Sequence, residues 1–495
     1  MISLRQSGWT AALAIAALTA GLTAQVSGVE GVLTPGQAQR AALTDYEGVY
    51  EYQGGTKLVI VGAEPLLFAV LDDAKYPLRP LGVDTFQNAG GDTIPFRRSA
   101  DGSVSGFVER GVFFARLSRA VDPEIAAAVR ATPRPVGPDG RALPYEYRRP
   151  ADLGDGLAVG EVAQAGLDHA VATRLVDRVV DGTYKDVHGI LVYRGGRLVI
   201  EEYFYEYDRD RVHQMRSASK SVVSTLVGIA IDRGVLAGDG ELVLKRLPYE
   251  SYANADPRKA QLTLRDLLTM RSGLACNDWD GSSPGNESRV YQSQDWVKFV
   301  LDLPMVEPPG THGQYCSGNV AVAGRMVERA SGTPLPSFAQ QQLFTPLGID
   351  GSHVRWNYTL SASNAATFAQ LYLRPRDMLK LGVLFQERGR WQGRQIVSRE
   401  WVERSTARWS TVGDQDYGYF WWHQWADVTL PGGNRRVDMV VATGNGGQKI
   451  YLVPSLDLIV VLTGGNYNAQ SPAMAIMAKE LLPAIMAGGP ASPRE

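Results

Sequence analysis

Arg216-Ser217-Ala218-Ser219-Lys220-Ser221 sits where a charged, strand-like segment gives way to an apolar run, Val222 to Leu236. Ser217 and Lys220 are three residues apart, a spacing that places both side chains on one face of a helix. A serine hydroxyl is a weak nucleophile until a base takes its proton. A lysine amine can be that base once burial or a neighbouring charge favours its neutral form. The start of a buried helix supplies burial and adds its positive dipole end, which favours a neutral amine and a developing oxyanion. Read alone, the motif is more simply an N-cap serine followed by a solvated lysine. Its meaning depends on which other stretches accompany it.

The chain has 495 residues, enough for more than one domain. Its formal net charge of −2 gives no sign of nucleic acid or an anionic membrane surface as partner. Residues 1–28 read as a signal peptide: Arg5 supplies a positive start, Trp9 to Ala24 is almost wholly apolar or small, and Ala24, Ser27 and Gly28 offer cleavage points. The alternative is an uncleaved anchor, although the apolar run is short of a bilayer span. The expectation is an exported protein, periplasmic or secreted, with no stable membrane insertion after cleavage. The two cysteines, Cys276 and Cys316, can pair in an oxidising compartment or stay as two buried thiols. Sequence alone leaves both open, because a bridge needs a particular geometry.

Residues 40–120 read as a small all-β unit. Short alternating runs occur at Tyr46–Tyr52, Lys57–Val61, Leu66–Val70, Asp92–Phe96, Val104–Val108 and Val112–Ala115, some separated by Gly-Gly or Asp-Gly steps. That pattern suits a meander or a small lipocalin-like barrel without a catalytic cluster, a module for stability or docking. Residues 121–155 change character: Asp122-Pro123-Glu124 opens a short helix to Arg130, and five prolines from Pro133 to Pro150 make an extended linker. Residues 156–488 form the second domain. A helix at Leu167–Val180 precedes two strands, His188–Tyr193 and Leu198–Phe204, joined by a tight turn. After the Ser217 helix comes a capped helix at Leu262–Leu274, then helices near Trp296–Asp302, Val320–Ala330, Pro336–Leu343, Pro375–Gln386 and Arg399–Ser405. Strands at Val437–Thr443, Lys449–Pro454 and Leu458–Thr463 lead to a terminal helix, Ala473–Ala487. Hairpin, helices, strands and terminal helix in that order predict an α+β domain, an antiparallel sheet with a separate helical lobe.

Two further stretches read as parts of one site with Ser217. Tyr315-Cys316-Ser317-Gly318-Asn319 precedes a helix; a tyrosine hydroxyl can relay a proton, and Ser317 could hold Lys220 or a substrate carbonyl. The bland alternative is a buried tyrosine with a satisfied hydroxyl. Ala442-Thr443-Gly444-Asn445-Gly446-Gly447-Gln448 ends one strand and starts another. Its glycines let backbone lie close to a substrate, so that an N–H of this edge could share an oxyanion with the N–H of Ser217. The alternative is an ordinary glycine-rich turn. The six histidines are scattered, so no metal site is expected, and no cofactor either. Without a Gly-x-Ser-x-Gly elbow, a Ser-His-Asp arrangement is disfavoured, and His213 is read as structural.

Taken together, these stretches resemble the serine β-lactamase and penicillin-binding-protein superfamily, in its class C-like esterase branch with the 6-aminohexanoate-dimer hydrolases. The resemblance runs from Leu157 to Ala487, about two thirds of the chain. It rests on Arg216 to Val222, Leu267 to Leu274, Pro309-Gly310-Thr311, Tyr315 to Asn319, Arg376-Asp377-Met378, Tyr417-Gly418-Tyr419 and Gly446-Gly447-Gln448. The β unit is similar to an accessory β-domain of such hydrolases, usually C-terminal. The resemblance implies a β-lactamase/transpeptidase-like fold, with Ser217 as acylated nucleophile, Lys220 as its base and Tyr315 as general acid/base. Thr443, Gly444, Asn445, Gly446, Gly447 and Ser317 would line the substrate and oxyanion side. Three departures bear on substrate. Ser317 stands where the family's Tyr-x-Asn has Asn, Ala442 stands where its third motif has Lys or His, and a Glu-x-x-Leu-Asn stretch is absent. They point away from a true β-lactamase, toward hydrolysis of carboxylic esters or small amides. The competing readings are a penicillin-binding D-Ala peptidase or transpeptidase and a catalytically silent peptidoglycan- or peptide-binding protein. Trp279, Tyr419, Trp421 and Trp422 are candidate pocket aromatics.

Overall fold

The computed structural model describes residues 42–488 except 53–54, 357, 360–363 and 366–369. The segment read as a signal peptide, residues 1–28, lies outside the described residues.

Eight antiparallel strands close into a barrel: β1 (Gly48–Glu51), β2 (Lys57–Ala63), β3 (Leu66–Leu71), β4 (Ala74–Gly82), β5 (Thr85–Gln87), β6 (Thr93–Arg98), β7 (Val104–Glu109) and β8 (Val112–Ser118). Closure comes from β1 on β8, with Val49 opposite Ser118 and Tyr50 opposite Arg116. Strand alternation turns Leu58, Ile60, Leu67 and Ala69 inward and Val61 and Val70 outward. The outward pair is covered by α1 (Pro123–Arg130) through Val129. Asp122 caps that helix by accepting from the Glu124 N–H, and Pro123 occupies its first turn. The sequence reading lacks β4 and β5, because Pro77 and Pro80 interrupt the alternation there.

The segment after α1 lies along the second domain rather than free of it. Tyr145 Oη donates to Glu202 at 2.6 Å and Tyr147 Oη to the Val199 carbonyl at 2.9 Å. The barrel itself docks through the β3–β4 turn. Arg355 reaches Asp73 at 2.7 Å and Asp72 at 3.3 Å, Tyr372 Oη donates to Asp72, and Lys75 pairs with Glu206 at 2.6 Å.

The second domain is built on an eight-stranded antiparallel sheet. Its order is β10 (Arg197–Tyr203), β9 (Val187–Arg194), then Leu458–Gly464, Gln448–Val453, Gly433–Gly444, Trp422–Leu430, Gln415–Tyr417 and Ser410–Val412. Every residue of β9 is buried, as befits a strand covered on both faces. Helix Pro375–Gln386 packs on β9, Gln448–Val453 and Leu458–Gly464, while α2 (His169–Val180) and the C-terminal helical run, Ala473 to Ala487, pack on each other. The run also touches Trp422–Leu430. In the helical lobe, α3 (Ser219–Asp232) packs on Ser317–Ser331, which also carries Trp296–Asp302 and Leu264–Leu268. Residues Ser219 to Ala230 of α3 are all buried, so this helix forms a core element with no solvent stripe.

The capped helix expected over Leu262–Leu274 is shorter. A capping box of Thr263 and Asp266 starts it, and it runs only from Leu264 to Leu268. Met270 turns the chain at φ 58°, and Gly273 is needed further on, where a Cβ would meet the Glu307 carbonyl at 2.3 Å. The hairpin of Trp422–Leu430 with Gly433–Gly444 extends well beyond the single strand expected at Val437–Thr443.

His188 and His213 form a buried pair, Nδ1 to Nε2 at 2.9 Å, with Tyr207 stacked on His188. Burial pushes His213 down to about 4 and His188 well below its ordinary value, with Lys75 and Arg211 adding to the effect at His188. Both rings are therefore neutral in the folded protein, while the unfolded chain takes up their protons below about pH 6.5. The unfolded state binds more protons in that window, so stability falls as pH is lowered from about 6.5 toward 4, by roughly 3 kcal/mol for one such group. Denaturant midpoints across this range should show the loss, and His213→Asn should reduce the slope; an unchanged slope would refute the assignment.

Candidate active site

Arg216–Ala218 is a single 3-10 turn leading directly into α3, and Arg216 enters it at φ 50°. A positive φ at a bulky residue is costly and is held only by its surroundings. Two contacts hold it: Arg216 donates to Tyr76 Oη of the barrel at 2.7 Å, and its guanidinium lies over the Tyr467 ring at 4.7 Å. The turn presents Ser217, and one turn later Lys220, 1% exposed, brings Nζ to 2.8 Å from Ser217 Oγ. Nζ also lies 5.1 Å from the centroid of Tyr315. The three residues singled out as catalytic thus meet in one place.

Tyr315 is clamped on both sides. Trp279 stacks on it at 5.5 Å with an interplanar angle of 9°, and Trp422 contacts it at 5.5 Å. Cys276 and Cys316 form a disulfide that joins the Trp279 loop to the residue following Tyr315. Tyr419 and Trp421, expected in the pocket, belong to the core instead. Tyr419 is fully buried and donates to Asp239 at 2.6 Å, and Trp421 packs on Phe385 at 4.5 Å. Trp422, the first residue of its strand, carries the contact to Tyr315.

Strand Gly433–Gly444 supplies the opposite wall. Gly444 lies so close to the Ser217 turn that a Cβ would meet the Met215 carbonyl at 2.1 Å and the Arg216 Cβ at 3.1 Å. The neighbouring strand Trp422–Leu430 pairs only as far as Trp422 with Val441, so its ladder stops before Ala442 to Asn445. Ala442, two residues from Gly444, shares its side of the strand and is fully buried. Thr443 therefore projects to the other face, where its Oγ1 accepts from Lys449 Nζ at 3.4 Å. Gly446 and Gly447 lie in the turn between this strand and the next. Gly446 bridges to Asn466, and a Cβ on Gly447 would meet Ser471 at 2.6 Å. Of the six residues expected on the substrate side, Gly444 and Asn445 continue the wall beside Ser217, while Thr443, Gly446 and Gly447 serve the sheet and its turn.

Ser317 is fully buried, and its hydroxyl donates to Glu287 at 3.2 Å. Its backbone N–H donates to Asp278 at 2.6 Å, and the Glu287 N–H donates to the other oxygen of Asp278 at 3.0 Å. Asp278 thereby caps two helices beside Lys220. Burial and the nearby Glu287 carboxylate raise Asp278 to about 6, against the pull of Lys220 and the Ser317 hydrogen bonds. The sequence reading missed Asp278 and Glu287. Their one legible signal was the position of Asp278 two residues after Cys276. Among the described residues no group of His, Cys, Asp or Glu is arranged to hold a metal ion, and no helix is long and apolar enough to cross a membrane.

The chain belongs to the Beta-lactamase family, whose model matches residues 169–482. It is a serine hydrolase of that family. It is 26% identical over 316 residues to a 6-aminohexanoate-dimer hydrolase of Paenarthrobacter ureafaciens, spanning 59% of this chain and 76% of the relative. It is 29% identical over 190 residues to a lovastatin esterase of Penicillium rubens, covering 34% of this chain and 46% of that one. Among solved structures, a putative 6-aminohexanoate-dimer hydrolase from Bacillus anthracis superposes with a TM-score of 0.50 at 16% identity, covering 63% of this chain and 81% of that chain. The barrel precedes the matched region.

The disulfide closes a separation of 40 residues. On a chain-entropy basis, a loop of that size is worth about 4 kcal/mol of stability. Cys276→Ser with Cys316→Ser should lower stability by roughly that amount and reduce turnover, because the clamp on Tyr315 loosens. Equal melting temperatures for the two proteins would contradict this.

Proposed function

We propose that the protein is an exported hydrolase of carboxylic esters or small amides that works through an acyl-enzyme on Ser217. The observation that carries the reading is the 2.8 Å approach of the buried Lys220 amine to Ser217 Oγ at the head of a buried helix. Lys220 takes the hydroxyl proton as Ser217 attacks the substrate carbonyl. The backbone N–H groups of Ser217 and Asn445 face the oxygen that becomes negative, one from the α3 turn and one from the free edge of the strand. Tyr315, whose ring lies 5.1 Å from the amine, passes the proton to the leaving group. Water then attacks the acyl carbonyl by the same route in reverse, releasing the acid. Asp278 stabilises the ammonium that forms transiently on Lys220.

The side of the pocket that grips a carboxylate in the family's β-lactam and peptide enzymes carries Ala442 here, and Ser317 is turned to Glu287. Both support a neutral ester or amide as substrate. The names of the relatives, a dimer hydrolase and an esterase, fit the same class. The disulfide supports export, since such bonds persist in oxidising compartments.

Ser217→Ala should lower kcat by about 10³-fold or more while leaving the melting temperature near that of the wild type. It should also abolish the single mass adduct formed with a fluorophosphonate; an adduct that persists in the variant would place the nucleophile elsewhere. A base acts in its proton-accepting form, so kcat/KM should rise with pH. Ionisation of Asp278 adds an inflection near pH 6, with activity rising as the carboxylate forms. Asp278→Asn should remove that inflection, and a profile that is flat from pH 5 to 9 in the wild type would exclude the mechanism.

A further inference from the structure

The barrel is packed in one half and hollow in the other. Tyr46, Phe86, Phe96 and Phe107 fill one half, with ring centroids 4.9 to 5.8 Å apart along the cluster. The other half encloses a cavity of about 490 Å³, lined by Leu58, Ile60, Ala69, Leu78, Ile94 and the edge of Phe107. Protein interiors are ordinarily close-packed, and an eight-stranded barrel has room to be filled by its own side chains or to hold one small ligand. A cavity of this size falls in the range of small-molecule sites, roughly 300–1,000 Å³.

The hollow half opens toward the second domain. The β1–β2, β3–β4, β5–β6 and β7–β8 connections share one end of an up-and-down barrel. The cavity is bordered at that end by Tyr52, Leu71, Asn88 to Gly90, Asp92, and Glu109 with Arg110. The same end carries Asp72 and Asp73, which dock on Arg355. The polar rim satisfies itself: Arg110 pairs with Asp92 at 3.0 Å and Tyr52 donates to Glu109 at 2.7 Å. The remaining rim carboxylate, Glu109, is held by the Tyr52 and Asn88 side chains rather than by a cation.

Two residues at the mouth connect the cavity to the reacting centre. Asn468, from the second domain, lines the cavity, and its backbone N–H donates to Asn445 Oδ1 at 2.9 Å while its own Oδ1 accepts from Asn445 Nδ2 at 2.7 Å. Tyr76, from the barrel, lines the cavity and accepts from Arg216, the residue before Ser217. Each side of the mouth is thus bonded to a residue that forms, or adjoins, one of the two oxyanion donors.

We propose that the barrel cavity is a substrate subsite that takes the apolar limb of an elongated ester or amide whose carbonyl lies at Ser217. The ligand class is a medium-length aliphatic chain, since the inner lining of Leu58, Ile60, Ala69, Leu78 and Ile94 is apolar. The inference rests on Ser217 as nucleophile, and two measurements on the full-length protein separate the two. Ala69→Trp and Leu71→Trp fill the cavity at different depths, and far-UV circular dichroism selects whichever folds. With p-nitrophenyl acetate and p-nitrophenyl octanoate, the octanoate-to-acetate ratio of kcat/KM should fall at least ten-fold in either variant. An unchanged ratio overturns the subsite. Calorimetric titration of sodium octanoate into Ser217→Ala should show binding that the added Ala69→Trp or Leu71→Trp abolishes. Binding that neither filling substitution disturbs overturns the subsite as well. A wild type that hydrolyses neither ester refutes the catalytic reading, and the titration alone then decides the cavity.

Discussion

The structure depends on holding a lysine amine out of water against a serine hydroxyl. An isolated buried ammonium is penalised by several kcal/mol, so such a group persists only where partners surround it. Lys220 has the Ser217 hydroxyl at 2.8 Å and the face of Tyr315 at 5.1 Å, with Asp278 close enough for its charge to be felt. Removing water also strengthens each of these contacts. The burial of α3 on all sides, the short turn before it and the left-handed Arg216 all serve this one placement.

The surrounding parts fix orientation more than they add stability. The disulfide, the Asp278 cap and the Trp279–Tyr315–Trp422 stack converge on a single loop and a single helix start. Tyr315 thereby keeps one ring position relative to Lys220. The proton relay proposed for Tyr315 would need that constancy, because a displacement of about 1 Å can lower turnover by two orders of magnitude. The opposite wall is held differently, by backbone approach at Gly444, where any side chain would collide with the nucleophile's turn.

What could be read from the sequence follows the range of the forces involved. Ser217, Lys220 and Tyr315 lie in local motifs, so their residue types and spacing were legible, and so was the alternation of helical lobe and antiparallel sheet. The barrel was legible as β structure wherever alternation was clean and illegible at β4, where Pro77 and Pro80 break it. Thr443, Gly446 and Gly447 looked like site residues because glycine-rich edges do border substrates. Their orientation depends on which face of the sheet meets α3, and that is settled by tertiary packing. Asp278 and Glu287 were hidden for the same reason: nothing local marks a carboxylate that caps a helix beginning 39 residues later. Tyr419 and Trp421 show the reverse error, aromatic residues near a motif that belong to the core.

The position of the barrel gives the chain a second constraint on chemistry. One of the two contacts that hold Arg216 at its positive φ is the hydrogen bond to Tyr76, and that partner comes from β4 rather than from the hydrolase domain. The nucleophile's turn is therefore completed by the barrel, across an interface that also carries Lys75 with Glu206 and Arg355 with Asp72 and Asp73. A domain that merely decorated the enzyme would leave the catalytic turn self-sufficient. Here the strained residue before the serine leans on Tyr76 of the barrel, while Asn445 is held by Asn468, a second-domain residue that borders the barrel's open end. Loss of barrel docking would accordingly be felt at Ser217 before it was felt in the sheet, whose core is closed without it.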